Sequence, residues 1–219
     1  MYQSHEWWFP DGETHFPKML EKSVSKGLPP EYQVAVRQLS MKFCKQHGLA
    51  LDIGANVGLW SRDLCKEFDT VIAVEPVKQF RECLTRNVPD KNLTVVNCAL
   101  GAESSWIDMV IEKDNSGHSH VNTQTMGQGQ IQMMTLDEYM DTIDRPKVDY
   151  VKIDCEGYEY QIIQGGKQTL TRDRPIMVVE DKKHKDVGHV FYDRAIATLI
   201  SWGAKELGRV RADVILGWS

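Results

Sequence analysis

Short apolar runs alternate with amphipathic segments along most of the chain. The apolar runs have the length and β-branched content of buried strands, and they predict strands at Leu49–Ile53, Thr70–Val74, Leu93–Asn97, Trp106–Ile111, Val148–Ile153 and Ile176–Val179. The intervening segments repeat apolar residues three and four positions apart, as helices with one buried face do, and predict helices at Glu31–Gln46, Leu59–Phe68, Val77–Asn87, Leu136–Thr142, Tyr158–Leu170 and Tyr192–Trp202. Strands separated by helices predict right-handed βαβ units and a mostly parallel sheet in an α/β fold.

Two stretches do not follow this alternation of strands and helices, and the C-terminal end of the chain predicts a hairpin instead. Residues 1–30 are rich in Trp, Phe, Pro and Gly and have no clear period. Residues 114–130 are polar and contain glycine, which predicts a long loop. At the C-terminal end, Lys205–Val210 and Asp213–Trp218 predict two strands of a hairpin.

The composition is that of a globular protein, with 42% hydrophobic and 26% charged residues. The net charge of -5 provides no overall basic field, which disfavours a nucleic-acid substrate but leaves room for a local basic patch. The five cysteines are scattered and form no CxxC pair, which favours a reducing compartment. The start of the chain has no signal-peptide pattern, and no apolar run approaches the ~20 residues of a membrane span. We therefore predict a cytoplasmic protein without a membrane partner.

The segment from Leu51 to Gly58, which reads Leu-Asp-Ile-Gly-Ala-Asn-Val-Gly, ends the first predicted strand and opens a helix. Small residues there allow close approach of a ligand to the backbone, and the helix start offers free N–H groups. The spacing of Gly54 and Gly58 is not the GxGxxG of dinucleotide sites, which argues against an NAD-dependent dehydrogenase. The preceding carboxylate of Asp52 would repel a pyrophosphate but suit a cationic ligand with an amino group. S-adenosylmethionine is such a ligand; the alternative is an ordinary strand-to-helix turn.

Acidic and small residues also follow the next two strands. Glu75 ends the second strand, a little over twenty residues after Asp52, where a carboxylate can accept hydrogen bonds from ribose hydroxyls. Cys98 and Ala99 follow the third strand, where the base of a nucleoside would lie. A solvated carboxylate and a plain strand-end loop are the respective alternatives.

These segments resemble the FkbM family of S-adenosylmethionine-dependent methyltransferases, from about Ala50 to Glu180. The matching stretches are Leu51–Gly58, Ala73–Pro76, Asn97–Gly101, Thr135–Asp137, Val151–Glu159 and Pro175–Glu180. The string Lys-Ile-Asp-x-Glu-Gly-x-Glu within Val151–Glu159 is the most specific of them. The resemblance implies a Rossmann-like class I methyltransferase fold, with a mostly parallel seven-stranded sheet and an antiparallel C-terminal hairpin strand. It also implies methyl transfer to a hydroxyl oxygen, often on a sugar or another small molecule.

The resemblance assigns candidate residues and domains. The cofactor-binding candidates are Asp52, Gly54, Ala55, Asn56, Gly58, Glu75, Cys98, Ala99 and Asp154. The candidates for the reaction side are Lys152, Asp154 and Glu156. Residues 49–219 would form the methyltransferase domain. Residues 1–48, which match nothing in the family, would form an extension with a helix that covers the acceptor side.

Methylation of an alcohol requires removal of its proton, for which a carboxylate or histidine within hydrogen-bond reach is suited. Asp154 follows a buried strand at the edge where open α/β sheets bind ligands, so we expect it to be the general base, with Glu156 second. Alternatively, the two carboxylates cap the next helix or pair with Lys152. His118 and His120 could supply a base or, with Asp154 and Glu156, a metal site. Their spacing lacks the pattern of metal ligands, and we predict no metal.

Other features leave alternatives open. Trp7, Trp8 and Phe9 could cover an acceptor, but covering apolar surface is the more ordinary role of aromatic residues. The basic run Lys182–Lys185 could bind an anionic acceptor or lie in a solvated loop. A nucleic-acid amino methylase would carry an Asn/Asp-Pro-Pro-aromatic string after the Asp154 strand, and Cys155 lacks the Pro-Cys context of a cytosine C5 methylase. A non-catalytic cofactor-binding module is a further alternative. The oligomeric state stays open.

Overall fold

The fold is built around one seven-stranded sheet. The computed structural model describes residues 1–181 and 194–218. The strands of this sheet are β3 (Leu49–Ile53), β4 (Thr70–Val74), β5 (Leu93–Val96), β10 (Tyr150–Ile153), β11 (Ile176–Glu180), β12 (Ala204–Val210) and β13 (Asp213–Trp218). Their spatial order is β12-β13-β11-β10-β3-β4-β5. Strand β13 is antiparallel to both of its neighbours and the other pairs are parallel. The sheet confirms the predicted one, including its antiparallel C-terminal hairpin strand.

The central strands are buried on both faces. All five residues of β3 and all four of β10 are buried, as expected for parallel strands covered by helices on each side. The helices of the domain are α3 (Ser61–Glu67), α4 (Lys78–Asn87), α5 (Leu136–Thr142), α6 (Glu159–Gly165), α7 (Lys167–Asp173) and α8 (Arg194–Ser201). The predicted helix Tyr192–Trp202 is confirmed within the described residues, and its first two positions lie outside them.

The helix predicted at Tyr158–Leu170 is two helices, α6 and α7, that meet at two glycines. A Cβ atom at Gly165 would lie 2.0 Å from the carbonyl oxygen of Gly101, and one at Gly166 would lie 2.7 Å from Leu136 Cδ2. The chain therefore passes too close to its neighbours for side chains at this point. Apolar periodicity alone does not report such a contact.

The N-terminal residues, for which the sequence predicted no elements before Glu31, are ordered on the domain surface. They form a hairpin of β1 (Tyr2–Ser4) and β2 (Trp7–Phe9), followed by α1 (His15–Val24) and α2 (Val34–Met41). The turn has positive φ at His5 and Glu6, as two-residue hairpin turns require. Helix α2 begins after the predicted Glu31 because Gln33, immediately before it, has a left-handed backbone conformation, and it ends at Met41 rather than at the predicted Gln46.

The aromatic residues of β2 cover apolar surface rather than an acceptor. Trp7 and Phe9 are buried in one cluster with Leu20, Val57 and Cys83. Neither residue reaches the cavity described below. The more ordinary of the two interpretations of this aromatic segment is therefore correct.

A second sheet lies beside the first. Its strands are β6 (Ala99–Leu100), β7 (Ser105–Val110), β8 (His120–Asn122) and β9 (Ile131–Met134), in the order β6-β9-β7-β8. The prediction of an uninterrupted loop at residues 114–130 is therefore wrong. Strand β8 escaped detection because only Val121 of its three residues is buried, which leaves no apolar period to recognise. Among the described residues, no helix combines the length and apolarity that a membrane crossing requires.

Candidate active site

One cavity opens at the carboxyl edge of β3, β4, β10 and β11, which is where open α/β sheets bind ligands. The predicted residues that line it are Gly54, Ala55, Asn56, Glu75, Ala99, Lys152, Asp154 and Glu156. The sequence did not identify several further lining residues: Pro76, Val77, Phe80 and Leu100 on the domain side, and His15, Phe16, Tyr32 and residues 115–117 on the side of the N-terminal segment. Three predicted residues, Asp52, Gly58 and Cys98, lie behind the lining.

The glycine loop follows β3 and packs against the residues that follow β10. Gly54 has φ +80°, and a Cβ atom there would lie 2.0 Å from the carbonyl oxygen of Asp154. Only glycine permits this approach, which places the glycine loop directly beside the candidate base. Gly58 has a different role: its φ is +90°, and a Cβ atom would lie 2.9 Å from Val88 Cγ2. Gly58 therefore serves packing against the segment after α4.

Glu75 is buried at the end of β4 and holds the glycine loop. Its Oε2 accepts a hydrogen bond of 2.8 Å from the backbone N–H of Asn56, and its Oε1 accepts one of 2.8 Å from that of Val77. Burial raises the pKa of Glu75 to about 7, although both hydrogen bonds and Arg81 act in the opposite direction. Each carboxylate oxygen has a second lone pair that can accept from a hydroxyl group in the cavity.

Asp52 lies beneath the cavity rather than in it. The side chain is fully buried, Ser61 Oγ donates a 2.6 Å hydrogen bond to Oδ2, and Oδ1 lies 3.9 Å from Lys152 Nζ. The two residues are neighbours in the parallel register of β3 and β10. Burial raises the pKa of Asp52, and Lys152 and Ser61 partly offset this effect. In this arrangement Asp52 can act on a ligand only through Lys152.

Lys152 is a buried cation that contacts the candidate base. Its Nζ lies 3.2 Å from Asp154 Oδ2 and 5.6 Å from the centre of the Trp60 ring. Burial alone would lower the pKa of Lys152, but the carboxylates of Asp154 and Asp52 outweigh it and raise the pKa. The predicted alternative of pairing with Lys152 is therefore realised by Asp154, which also faces the cavity.

Glu156 reaches the cavity from a strained loop. It has φ +49°, which is uncommon for a residue with a side chain. The Glu159 carboxylate, at the start of α6, accepts hydrogen bonds from the N–H groups of Cys155 at 2.8 Å and Gly157 at 3.2 Å. Burial raises the pKa of Glu159 to about 7. Glu159 thus maintains the loop that presents Glu156. Glu159 is the last residue of the Lys-Ile-Asp-x-Glu-Gly-x-Glu string, and the sequence did not predict this structural role for it.

Acidic groups predominate at the reaction end of the cavity. Carboxylate oxygens of Asp154, Glu156 and Glu180 lie within 4.8 Å of one another. Asp213, on β13, is nearby, and burial together with Asp154 raises the pKa of Asp213 to about 7. Of the two loop histidines, His118 lines the cavity and His120 does not. The basic run at residues 182–185 lies outside the described residues.

A mixed seven-stranded sheet with a cavity at its carboxyl edge is the architecture of class I methyltransferases. The chain belongs to the methyltransferase FkbM domain family, which matches residues 52–208. It is 28% identical over 138 residues to the hexuronic acid methyltransferase AglP of Haloferax volcanii, a match that covers 62% of this chain and 56% of that relative. The chain therefore spans just over half the length of this relative. Family and fold agree with the sequence-based predictions.

Solved structures share the fold. The FkbM methyltransferase of Methylobacillus flagellatus superimposes with a TM-score of 0.52 at 17% identity, over 79% of this chain and 44% of that one. An O-methyltransferase of Bacillus cereus, solved in complex with S-adenosylhomocysteine, has a TM-score of 0.51 at 9% identity, over 93% of this chain and 90% of that one.

Proposed function

We propose that this protein transfers the methyl group of S-adenosylmethionine to a hydroxyl group of a sugar or another small molecule. The observation that carries the proposal is the position of Asp154, which lines the same cavity as the glycine loop and contacts the buried ammonium of Lys152. Family membership supports the reaction class. The name of the relative that acts on hexuronic acid supports a sugar acceptor.

The donor set of the cavity suits this cofactor. Glu75 offers carboxylate lone pairs where ribose hydroxyls could donate, next to the backbone of Gly54 and Asn56. Apolar side chains of Val77, Phe80 and Leu100 line the adjacent wall and suit an adenine ring. The carboxylates at the reaction end suit a positively charged sulfonium and amino group.

In the proposed mechanism, the residues align the acceptor and remove its proton. When bound, S-adenosylmethionine supplies an electrophilic methyl group on a sulfonium that leaves as a neutral thioether. Asp154 Oδ accepts the proton of the acceptor hydroxyl, and the ammonium of Lys152, 3.2 Å away, holds the Asp154 carboxylate in position. Glu156 accepts a hydrogen bond from a second polar group of the acceptor. Enclosure by the wall of residues 115–117 and α1 excludes water and restricts the orientation of the acceptor.

Several further properties belong to the proposal. The segment of residues 1–48 covers the acceptor side, because His15, Phe16 and Tyr32 line the cavity. A nucleic-acid substrate is disfavoured by the net charge of -5 and the carboxylates at the reaction end. The five cysteines are all free thiols, which supports a reducing compartment such as the cytoplasm.

The test has two parts. Calorimetry should detect binding of S-adenosylhomocysteine. A panel of sugars, uronic acids and other alcohols incubated with enzyme and methyl-labelled cofactor should yield a labelled product, located by mass spectrometry on an oxygen atom. Binding without turnover on any acceptor would favour a non-catalytic cofactor-binding module. Label on a nucleic acid would favour a nucleic-acid methyltransferase.

A further inference from the structure

We infer that Glu13 is a positioning residue for the acceptor: its buried carboxylate ties helix α1 to the 115–117 loop and so builds the wall of the cavity opposite the sheet. The inference rests on the proposed function. It concerns a residue outside the family match at residues 52–208. Glu13 does not itself line the cavity and acts through the residues that do.

The Glu13 side chain is fully buried and accepts hydrogen bonds from two separate segments. Oε1 accepts from the backbone N–H groups of His15 at 2.6 Å and Phe16 at 3.1 Å, the first two residues of α1. Oε2 accepts from the backbone N–H of Ser116 at 2.6 Å. The helix start and the loop are about 100 positions apart in sequence. This buried carboxylate therefore joins the two segments through its side chain, beside the backbone N–H groups of Thr14 and His15, which donate to the Asp114 carbonyl oxygen at 2.9 and 3.1 Å.

The loop is attached in turn to the cofactor side. Asn56 Nδ2 donates to the Ser116 carbonyl oxygen at 3.0 Å, and Ser116 Oγ donates to Asn56 Oδ1 at 3.1 Å. Ser116 is 1% exposed, so water does not compete for these bonds. The chain of contacts runs from Glu13 through Ser116 to Asn56 in the glycine loop. The N-terminal wall is thus fixed relative to the cofactor side.

Aromatic side chains extend this wall toward the reaction end. The ring centres of His118 and His15 are 6.4 Å apart, those of His15 and Phe16 are 5.4 Å apart, and those of Phe16 and Tyr32 are 5.3 Å apart. The charges of Asp154 and Lys152 act on the Tyr32 hydroxyl. The row of rings therefore leads from the Glu13 link to the candidate base. Flat rings at such a position offer a stacking surface for the C–H face of a sugar.

Glu13→Gln tests the link because glutamine has one carbonyl oxygen and one NH₂ group. The two carboxylate oxygens serve different segments, so the NH₂ group must face backbone N–H donors on one side. Glu21→Gln, at an exposed position of the same helix, is the matched control. The measurements are hydrogen exchange of residues 114–119, calorimetry with S-adenosylhomocysteine, and the acceptor KM and kcat with a sugar that the wild type methylates.

We expect Glu13→Gln to accelerate exchange at residues 114–119 and to raise the acceptor KM at least tenfold, with kcat and cofactor affinity within about threefold of wild type. Glu21→Gln should change none of these. An unchanged KM in a variant of an active wild type would overturn the inference, as would a loss of cofactor affinity equal to the rise in KM. Inactivity of the wild type on every acceptor would instead refute the proposed function.

Ser116→Ala is the second variant, and it decides the matter if Glu13→Gln does not fold. This variant keeps the backbone N–H that donates a hydrogen bond to Glu13, but it removes the hydroxyl that donates a hydrogen bond to Asn56. A rise of about threefold in the acceptor KM, with an unchanged melting temperature, supports the link; wild-type KM and exchange would contradict it.

Discussion

Under the proposed function the cavity has a cofactor half and an acceptor half, and these two halves are built in different ways. The cofactor half consists of residues that follow β3, β4 and β5 in close succession, such as Gly54, Glu75 and Ala99. The acceptor half combines segments far apart in the sequence, including Tyr32 and residues 115–117. Backbone geometry at strand ends shapes the first half. Long-range hydrogen bonds and ring contacts shape the second.

The carboxylates of the two halves also have different partners. Glu75 accepts from backbone N–H groups, which keep a fixed direction whatever the pH. Asp154 contacts the ammonium of Lys152 and retains contact with the cavity. The first arrangement suits a group that binds, and the second suits a group that must gain a proton. If the proposed function is correct, variants of Glu75 should therefore impair cofactor binding and variants of Asp154 should impair chemistry.

The largest expected effect is that of Asp154→Asn, which should lower the methylation rate without a comparable loss of cofactor affinity. Asp154→Asn preserves the shape of the side chain but removes its basicity, so the methylation rate should fall about a hundredfold or more. Affinity for S-adenosylhomocysteine should stay within a few-fold, because in the proposed function Asp154 faces the transferred methyl group rather than the adenosine. Single-turnover kinetics and calorimetry on the same preparation measure the two quantities.

Glu156→Gln is the companion variant, and it should slow the reaction less than Asp154→Asn does. Equal losses of binding and turnover in Asp154→Asn would make Asp154 a binding residue. Near-normal turnover would point to Glu156 or His118 as the base.

The next effect should fall on binding alone. Glu75→Ala removes the acceptor for ribose hydroxyls and the partner of the Asn56 N–H, so affinity for S-adenosylhomocysteine should weaken at least tenfold, about 1.4 kcal/mol. Glu82→Ala, on the exposed side of α4, is the matched control and should bind normally. Unchanged affinity in Glu75→Ala would remove Glu75 from the cofactor site.

The sequence predicted the cofactor half better than the acceptor half. Gly54 and Glu75 were identifiable because a strand end, a tight turn and an acid are local features. Asp52 was placed in the cavity, but strand alternation turns its side chain to the face that carries Ala50 and Lys152. Side chains alternate between the two faces of a strand, and this alternation in β3 and β10 would have placed Asp52 and Lys152 on the same face of the sheet.

The acceptor half could not be derived from local patterns. The N-terminal hairpin packs Trp7 and Phe9 against α4 and the segment after β3, and a hydrogen bond to Glu13 holds Ser116 at the cavity. These contacts join residues far apart in the chain, and a single sequence does not record them. The buried Glu13 carried no signal, since an isolated acid before a helix is ordinarily a solvated cap.

The pH dependence of stability should involve both halves. Burial raises the pKa of Glu75 and of Glu159 to about 7, whereas the pKa of glutamate in an unfolded chain is about 4.3. Between these values the folded protein binds more protons than the unfolded chain. The stability of the folded protein therefore falls as pH rises from about 5 to 7 through these two groups and levels off above. Asp213, whose pKa is also raised to about 7, acts in the same direction.

Calorimetric melting of the ligand-free protein measures this dependence. The melting temperature should be higher at pH 5.5 than at pH 7.5, by about 2–4 °C for each kcal/mol of difference in the free energy of unfolding. Glu75→Gln and Glu159→Gln should each remove part of the difference, and together they show how the two halves share it. A higher melting temperature at pH 7.5, unaltered in both variants, would show that other groups control the stability.

The smallest expected effect is that of metal removal, for which we predict no change in rate. Asp154, Glu156 and Glu180 could together hold a divalent ion. However, the ammonium of Lys152 lies 3.2 Å from Asp154 and already supplies positive charge there. Prolonged dialysis against a chelator should therefore leave turnover and S-adenosylhomocysteine affinity at their starting values. If activity were lost and then restored by magnesium or manganese, the acceptor half would be a metal centre, and these carboxylates would be ligands rather than a base and its neighbours.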